Sequence, residues 1–243
     1  GTMAKVAIIG AGYVGLTTGA CLAHLGHDVI VADNNDDRVK SLKEGIVPFF
    51  EPGLDELVSD VVESEKLSFV LGASKASENA EFHFLCLPTP ARTDGSSDLS
   101  YFEEGINEIL SVLQPNSIVI NKSTVPLGTA KRLQEDMART DVHIVSNPEF
   151  LSEGNAIRDF LEPSRIVIGA NSREHSERVA KLYSKLNAPI LMSSWESAEL
   201  IKHTANAFLA MKLTFVNEIA TLCEMTGADI KDVTDGIGYD PRI

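Results

Sequence analysis

Val6-Ala7-Ile8-Ile9-Gly10-Ala11-Gly12-Tyr13-Val14-Gly15 is an apolar run that closes on three glycines. Residues 6–9 are apolar at every position, as a strand covered on both faces must be. Residues 14–25 then carry a helical pattern, which sets the glycines at a strand-to-helix turn. Gly10 makes the tight turn, Gly12 lets the backbone approach a pyrophosphate, and Gly15 lets the helix pack close to the strand. The first-turn amides, Tyr13 and Val14 among them, hold the diphosphate with help from the helix dipole.

The context of this motif sharpens it. Asp33 stands at the end of the next apolar run, eighteen residues beyond Gly15. A carboxylate there accepts from both ribose hydroxyls, and its charge repels a 2′-phosphate, so the expected cofactor is NAD and not NADP. Arg38, five residues further on, is expected along the adenine or in solvent.

Outward from this turn, short β-branched runs recur at 29–32, 82–87, 117–120, 143–146 and 165–168. Helical patterns fill the gaps at 36–43, 54–64, 101–113, 129–137 and 173–186. The alternation predicts an α/β fold, a Rossmann-type doubly wound parallel sheet with right-handed crossovers. After Pro189 the pattern changes to one long helix over about 195–226 without Pro or Gly. At ~1.5 Å per residue it is on the order of 45 Å long. Its apolar residues (Leu200, Ile201, Phe208, Leu209, Leu213, Phe215, Val216, Ile219, Leu222) point in most directions, which calls for burial against a second domain or a second subunit. Residues 235–243 read as the start of a loop, and Gly1-Thr2 before Met3 reads as a cloning scar.

Composition excludes several function classes. A net charge of −14 disfavours nucleic acid, whose phosphates require clustered Lys and Arg. No apolar run is long enough to cross a bilayer, and no signal-peptide layout is present, so a cytoplasmic protein is expected. Cys21, Cys86 and Cys223 read as buried, reduced thiols. Cys21, His24 and His27 do not make a metal site, because Gly26 falls where a helix C-cap is expected and nothing nearby completes a ligand set.

Four further segments fall at strand ends, where open α/β sheets bind their ligands. They are Leu87-Pro88-Thr89-Pro90, Asn121-Lys122-Ser123-Thr124-Val125-Pro126, Asn147-Pro148-Glu149-Phe150-Leu151-Ser152-Glu153-Gly154, and Glu199-Leu200-Ile201-Lys202-His203-Thr204-Ala205-Asn206. Taken singly, the threonines read equally as caps and the two glutamates as solvated carboxylates. Lys202 and Asn206 share a helix face four residues apart, and a lysine on a helix built for burial is costly unless paired or functional.

Taken in order, these segments resemble the nucleotide-sugar dehydrogenases of the UDP-glucose/GDP-mannose dehydrogenase family. The matching pieces are AIIGAGYVG (7–15), FFEPGL (49–54), Thr89-Pro90 with Asp94-Gly95 and Asp98-Leu99-Ser100-Tyr101, and STVP (123–126). They continue with NPEFLSEGNAIRDFLEPSRIVIG (147–169), AELIKHTANAFLA (198–210) and GIGYDPRI (236–243), so the resemblance runs from Met3 to the end. It implies two successive NAD-dependent oxidations at C6 of a nucleotide sugar, through a cysteine thiohemiacetal and a hydrolysed thioester.

By the same resemblance, Lys202 and Asn206 line the sugar, with the lysine stabilising oxyanion charge or a water. Glu149 does acid/base work, and Thr124 positions its water beside the cofactor, which Thr89 also touches. The stretch Phe150, Leu151 and on to Glu153 cradles the substrate, and Glu153 reaches toward the nicotinamide. Arg242 reaches the substrate of a neighbouring subunit, and the long helix is the spine of a homodimer. The segment 163–169 leans toward UDP-glucose, with GDP-mannose or a UDP-N-acetylhexosamine as the alternatives. The β-hydroxyacid dehydrogenases also set Lys and Asn four apart on a long helix, but leave EPGL and NPEFLSEG unexplained. A stand-alone NAD-binding dimerisation module is the non-enzyme alternative.

The implied domains are an NAD-binding domain over 3–193 and a central helical dimerisation segment over 194–243. The family's nucleophile lies in a Gly-Gly-Ser-Cys segment beyond GIGxDxRIG, and no cysteine of this chain matches it. The expectation is therefore a truncated chain, lacking the C-terminal UDP-binding domain, that binds NAD without completing the oxidation.

Overall fold

A computed structural model describes residues 3–243; the supposed cloning scar, Gly1-Thr2, lies outside the described residues. Eight strands form one sheet: β1 (Lys5–Ile9), β2 (Asp28–Asp33), β3 (Leu67–Leu71), β4 (Phe82–Leu85), β5 (Ile118–Asn121), β6 (His143–Ser146), β7 (Ile166–Gly169) and β8 (Ile190–Ser193). Their order is β3-β2-β1-β4-β5-β6-β7-β8, the doubly wound arrangement with its reversal between β1 and β4. The helices are α1 (Tyr13–His24), α2 (Asp36–Lys43), α3 (Leu54–Glu63), α4 (Ala73–Ser77), α5 (Ser100–Ile109), α6 (Thr129–Asp136), α7 (Ala156–Leu161), α8 (Arg173–Ala180), α9 (Trp195–Thr226) and α10 (Ile230–Gly238).

Strand alternation divides the core into two layers. Val6 and Ile8 of β1 join Leu16, Leu54, Val58 and Val179 on one face, while Ala7 and Ile9 join Phe102, Ile106, Leu133 and Trp195 on the other. Each fully buried side chain of this size stabilises the fold by about 1.5–3 kcal/mol. Trp195 also anchors the start of α9, donating from Nε1 to the Ile144 carbonyl at 2.8 Å.

Two strands escape the sequence pattern, β3 and β8, and both are sheet edges. Along β3 burial alternates, and β8 has no fully buried residue, as befits strands paired on one side only. The sheet also departs from all-parallel pairing in one place: β7 runs antiparallel to β6, through Ser146 and Gly169. The chain from Asn147 to Arg165 therefore does not cross back beneath the sheet but stays at the carboxyl edge, where it is available to a ligand.

Residues up to Lys202 form one compact unit, and His203–Ile243 form a second. In the second unit Asp229 caps α10, accepting from the Lys231 and Asp232 amides, and Lys231 pairs with Asp235 at 2.7 Å. Residues 235–238 are thus the last turn of a helix, where the glycines at 236 and 238 had suggested a loop. Phe208, Leu209, Met211, Leu213 and Phe215 of α9 are each more than half exposed on this chain, so it does not itself supply the burial that their pattern calls for. Among the described residues, no helix is long and apolar enough to cross a membrane.

Candidate cofactor and substrate site

The Gly-rich turn borders a cleft of about 930 Å³, lined by Gly10, Gly12, Tyr13, Asp33 and Arg38 and by Leu87, Tyr101 and Glu104. The three glycines are needed for three different reasons. A Cβ on Gly10 would stand 2.3 Å from the Cys86 carbonyl oxygen, and one on Gly15 would stand 1.7 Å from the Gly10 oxygen. Gly12 has nothing within 4 Å of that position, so what demands a glycine there lies outside the folded chain. Gly12 is the N-cap of α1 and supplies no side-chain cap, which leaves first-turn amides to serve an anion.

Asp33 shapes this turn before any ligand arrives. Its Oδ2 accepts from the Ala11 amide at 2.9 Å and its Oδ1 from the Asn35 amide at 2.9 Å. A carboxylate has about four acceptor sites, so capacity remains for ribose hydroxyls. Arg38 is half-buried and folds back to donate to the Ala11 carbonyl at 3.2 Å, on the cleft wall. The cleft, the open Gly12 position and the half-used Asp33 together fit a dinucleotide.

A second group gathers at the carboxyl ends of β5 and β6. Lys202 Nζ lies 3.7 Å from Glu149 Oε1. Glu149 Oε2 accepts from the Leu151 amide at 2.5 Å, so the carboxylate is already aimed. Two cations approach the Phe150 ring, the Arg165 guanidinium at 3.5 Å and Lys202 Nζ at 5.1 Å from its centroid. Thr124 lines a cavity no larger than one water, about 10 Å³, together with Glu199 and Lys202. Thr89 Oγ1 donates to the Thr124 carbonyl at 3.1 Å, joining the strand ends of β4 and β5.

The sequence motifs do not single out three residues that the structure adds here. Lys122 is buried, and loss of hydration lowers its amine to about 8, partly offset by Cys86 and Glu149. Its Nζ stands 5.6 Å and 5.7 Å from the Phe160 and Tyr183 ring centroids. Glu199 accepts from the Gly128 and Ala130 amides at 3.2 and 3.3 Å, and so fastens α9 to the start of α6. Burial raises its carboxyl above the ordinary range, against those hydrogen bonds. Asn147 donates to the Val167 carbonyl at 2.9 Å and accepts from the Tyr183 hydroxyl.

These sites coincide with recognised domains. The model of the UDP-glucose/GDP-mannose dehydrogenase family, NAD binding domain, matches residues 4–187, and that of the family's central domain matches 196–243. The chain belongs to the UDP-glucose/GDP-mannose dehydrogenase family. This family member is 45% identical, over 98% of its length, to the UDP-glucose 6-dehydrogenase of Rhizobium meliloti, of which it covers 57%. A UDP-glucose dehydrogenase structure from Pyrobaculum islandicum superposes with TM-score 0.94 at 36% identity, covering all of this chain and 58% of that one. GDP-mannose dehydrogenase of Pseudomonas aeruginosa, solved as a ternary complex, gives TM-score 0.92 at 34% identity, over 98% of this chain and 57% of that one. The chain thus spans a little over half the length of these relatives.

The other motif residues are placed as follows. Glu153 is exposed, and Asn206 is exposed in the second unit. Arg242, also exposed, pairs with Asp240 of its own turn at 2.7 Å. Cys21 is buried, and burial pushes its thiol up to about 12. Cys86, expected to be buried, is partly exposed because it follows β4 at the cleft edge, yet desolvation also pushes its thiol up to about 12. His27 accepts from the Ala4 amide at Nδ1 and faces the Leu182 carbonyl at Nε2, so both ring nitrogens are engaged. Among the described residues, no group of three or more His, Cys, Asp or Glu is placed to hold a metal.

Proposed function

We propose that the enzyme to which this chain belongs oxidises C6 of UDP-glucose from alcohol to carboxylate in two steps, and that the chain contributes its NAD-binding domain (3–193) and a central helical segment (194–243). The observation that carries this reading is the Glu149–Lys202 pair at the carboxyl edge of the sheet, beside Thr124 and on the same edge as the Gly10–Gly15 turn. Sequence identity to UDP-glucose 6-dehydrogenases supports the choice of sugar.

NAD, when bound, supplies the hydride acceptor for each step. The α1 amides and Asp33 hold it, and Arg38, Thr89 and Glu153 border it. Lys202, 3.7 Å from Glu149, is placed to stabilise negative charge developing on the sugar oxygen. Glu149, aimed by the Leu151 amide, takes the proton that the C6 hydroxyl gives up, directly or through a water held by Thr124, and passes it to solvent. Phe150 and Leu151 offer backbone to the substrate, and the family resemblance adds Asn206 and Arg242 as further contacts.

We place the nucleophile in none of the three cysteines. High thiol pKa values at Cys21 and Cys86 argue against thiolate chemistry there, and Cys223 is buried on α9. This chain is therefore expected to bind NAD but not to sustain NADH formation with UDP-glucose. The exposed apolar residues of α9 support a homodimer, and a cytoplasmic setting is part of the same proposal. The test is a panel of nucleotide sugars assayed with the full-length protein. Preference for GDP-mannose or a UDP-N-acetylhexosamine by tenfold or more in kcat/KM, about 1.4 kcal/mol, would replace UDP-glucose by that sugar.

A further inference from the structure

Glu51 lies in the irregular stretch between α2 and α3, outside the residues that line the cofactor cleft, yet it is only 5% exposed. Its Oε1 and Oε2 accept from the Gly154 amide at 3.0 and 2.9 Å, and Oε1 also accepts from the Ala156 amide at 2.9 Å. The Tyr13 hydroxyl donates to the same Oε1 at 3.4 Å. Phe49 packs nearby, its ring centroid 5.9 Å from that of Tyr13. One buried carboxylate thus touches the first residue of α1 and the turn that closes the 150–153 stretch, 103 residues further along the chain.

We infer that Glu51 is a positioning residue that couples the cofactor loop to the substrate-cradling segment 150–156. A buried carboxylate cannot exchange these donors for water, so its position follows the groups that hydrogen-bond it. Tyr13 is one of those groups, and its backbone belongs to the first turn of α1, where the diphosphate is held. Burial and the neighbouring Glu51 charge push the Tyr13 hydroxyl up to about 12, so it remains a donor at neutral pH. Fixing the α1 terminus with a dinucleotide fixes the base of the Tyr13 side chain and tightens its long contact to Glu51. Glu51 in turn holds the amides of Gly154, whose φ of +89° only glycine adopts freely, and of Ala156 at the start of α7. By linkage the effect is reciprocal: ordering of 150–156 strengthens dinucleotide binding by the same factor.

This coupling rests on the cofactor reading of the Gly10–Gly15 turn, and amide hydrogen exchange at Gly154 and Ala156 tests the two separately. Exchange is measured on the 243-residue chain, with and without saturating NAD, for wild type and Tyr13→Phe, binding being followed by titration. In wild type, NAD slows exchange at both amides by about threefold or more, and at saturation in Tyr13→Phe the slowing falls below about 1.5-fold. Glu51→Gln, which sets an amide against two backbone donors, speeds exchange at both positions by about tenfold without any ligand. NAD that binds wild type without slowing these amides overturns the coupling alone, as does a Tyr13→Phe protein that keeps the full effect. Failure of wild type to bind NAD overturns the coupling and the cofactor reading together.

Discussion

Lys202 Nζ stands 3.7 Å from Glu149 Oε1, and the two side chains retain only 10% and 18% of their exposure. Neither charge can find water easily, so each depends on the other. Lys202→Met is expected to lower stability by about 2–4 kcal/mol because it strands the Glu149 carboxylate. Adding Glu149→Gln should recover a coupling of about 1–3 kcal/mol, read from urea unfolding of both single variants and the double. In the full-length enzyme Lys202→Met should cut kcat about 100-fold or more. Strictly additive stabilities would show that the pair does not interact.

The glycines of the cofactor turn separate folding from binding. Gly15→Ala forces a Cβ to within 1.7 Å of the Gly10 oxygen and should destabilise the chain by about 3 kcal/mol. Gly12→Ala meets no atom within 4 Å, so its melting should stay close to wild type while its Kd for NAD rises about tenfold or more. A Gly12→Ala protein with wild-type affinity would place the pyrophosphate elsewhere.

Asp33→Ala should raise the Kd for NAD about 10- to 100-fold and narrow the preference for NAD over NADP. Part of that loss reflects the turn itself, because the Ala11 and Asn35 amides lose their acceptor. Calorimetric titration with both cofactors reads the two effects together, and unchanged NAD affinity would remove Asp33 from the ribose.

His83 sets a pH dependence that has nothing to do with catalysis. It is fully buried on β4 with Nδ1 2.9 Å from the Ser77 hydroxyl, and burial lowers its pKa from 6.5 to about 4. The unfolded chain therefore takes up this proton near pH 6.5 and the folded chain only near 4. Stability contributed by the neutral ring is complete above 6.5 and is lost as the pH falls toward 4, on the order of 3 kcal/mol over the window. His27, also lowered by burial, adds in the same direction. Melting curves from pH 7 to 4 should show the loss, and His83→Phe should flatten it; an equal slope in the variant would assign the effect to other groups.

Most helices and the central strands were legible because their patterns are local; the short α4 and α7 were not read. α1 ends where Gly26 allows, with the Gly26 amide on Ala23 and the His27 amide on Leu22. Edge strands β3 and β8 were not legible: Ser68 interrupts the apolar run of β3, and β8 is only four residues long. α10 was hidden by its glycines, which weaken helix propensity, although Asp229 caps it well. Of the site, the Gly10–Gly15 turn and Asp33 could be read directly, whereas Glu51 and Glu199 looked like ordinary charged residues until the backbone amides they accept from were known.

The sequence alone determined the dinucleotide turn, the acid that follows it and the long apolar helix, because each depends on φ, ψ and side-chain spacing within about 30 residues. Only the tertiary structure decided which carboxylates are buried, and against what. Glu51 meets Gly154 across 103 residues, and Glu199 meets Gly128 across 71. Such contacts arise because the sheet order brings these strand ends together and the reversed β7 keeps the 147–165 connection at the carboxyl edge. A buried charge must be satisfied by whatever donors the topology delivers, and no spacing along the chain encodes that delivery.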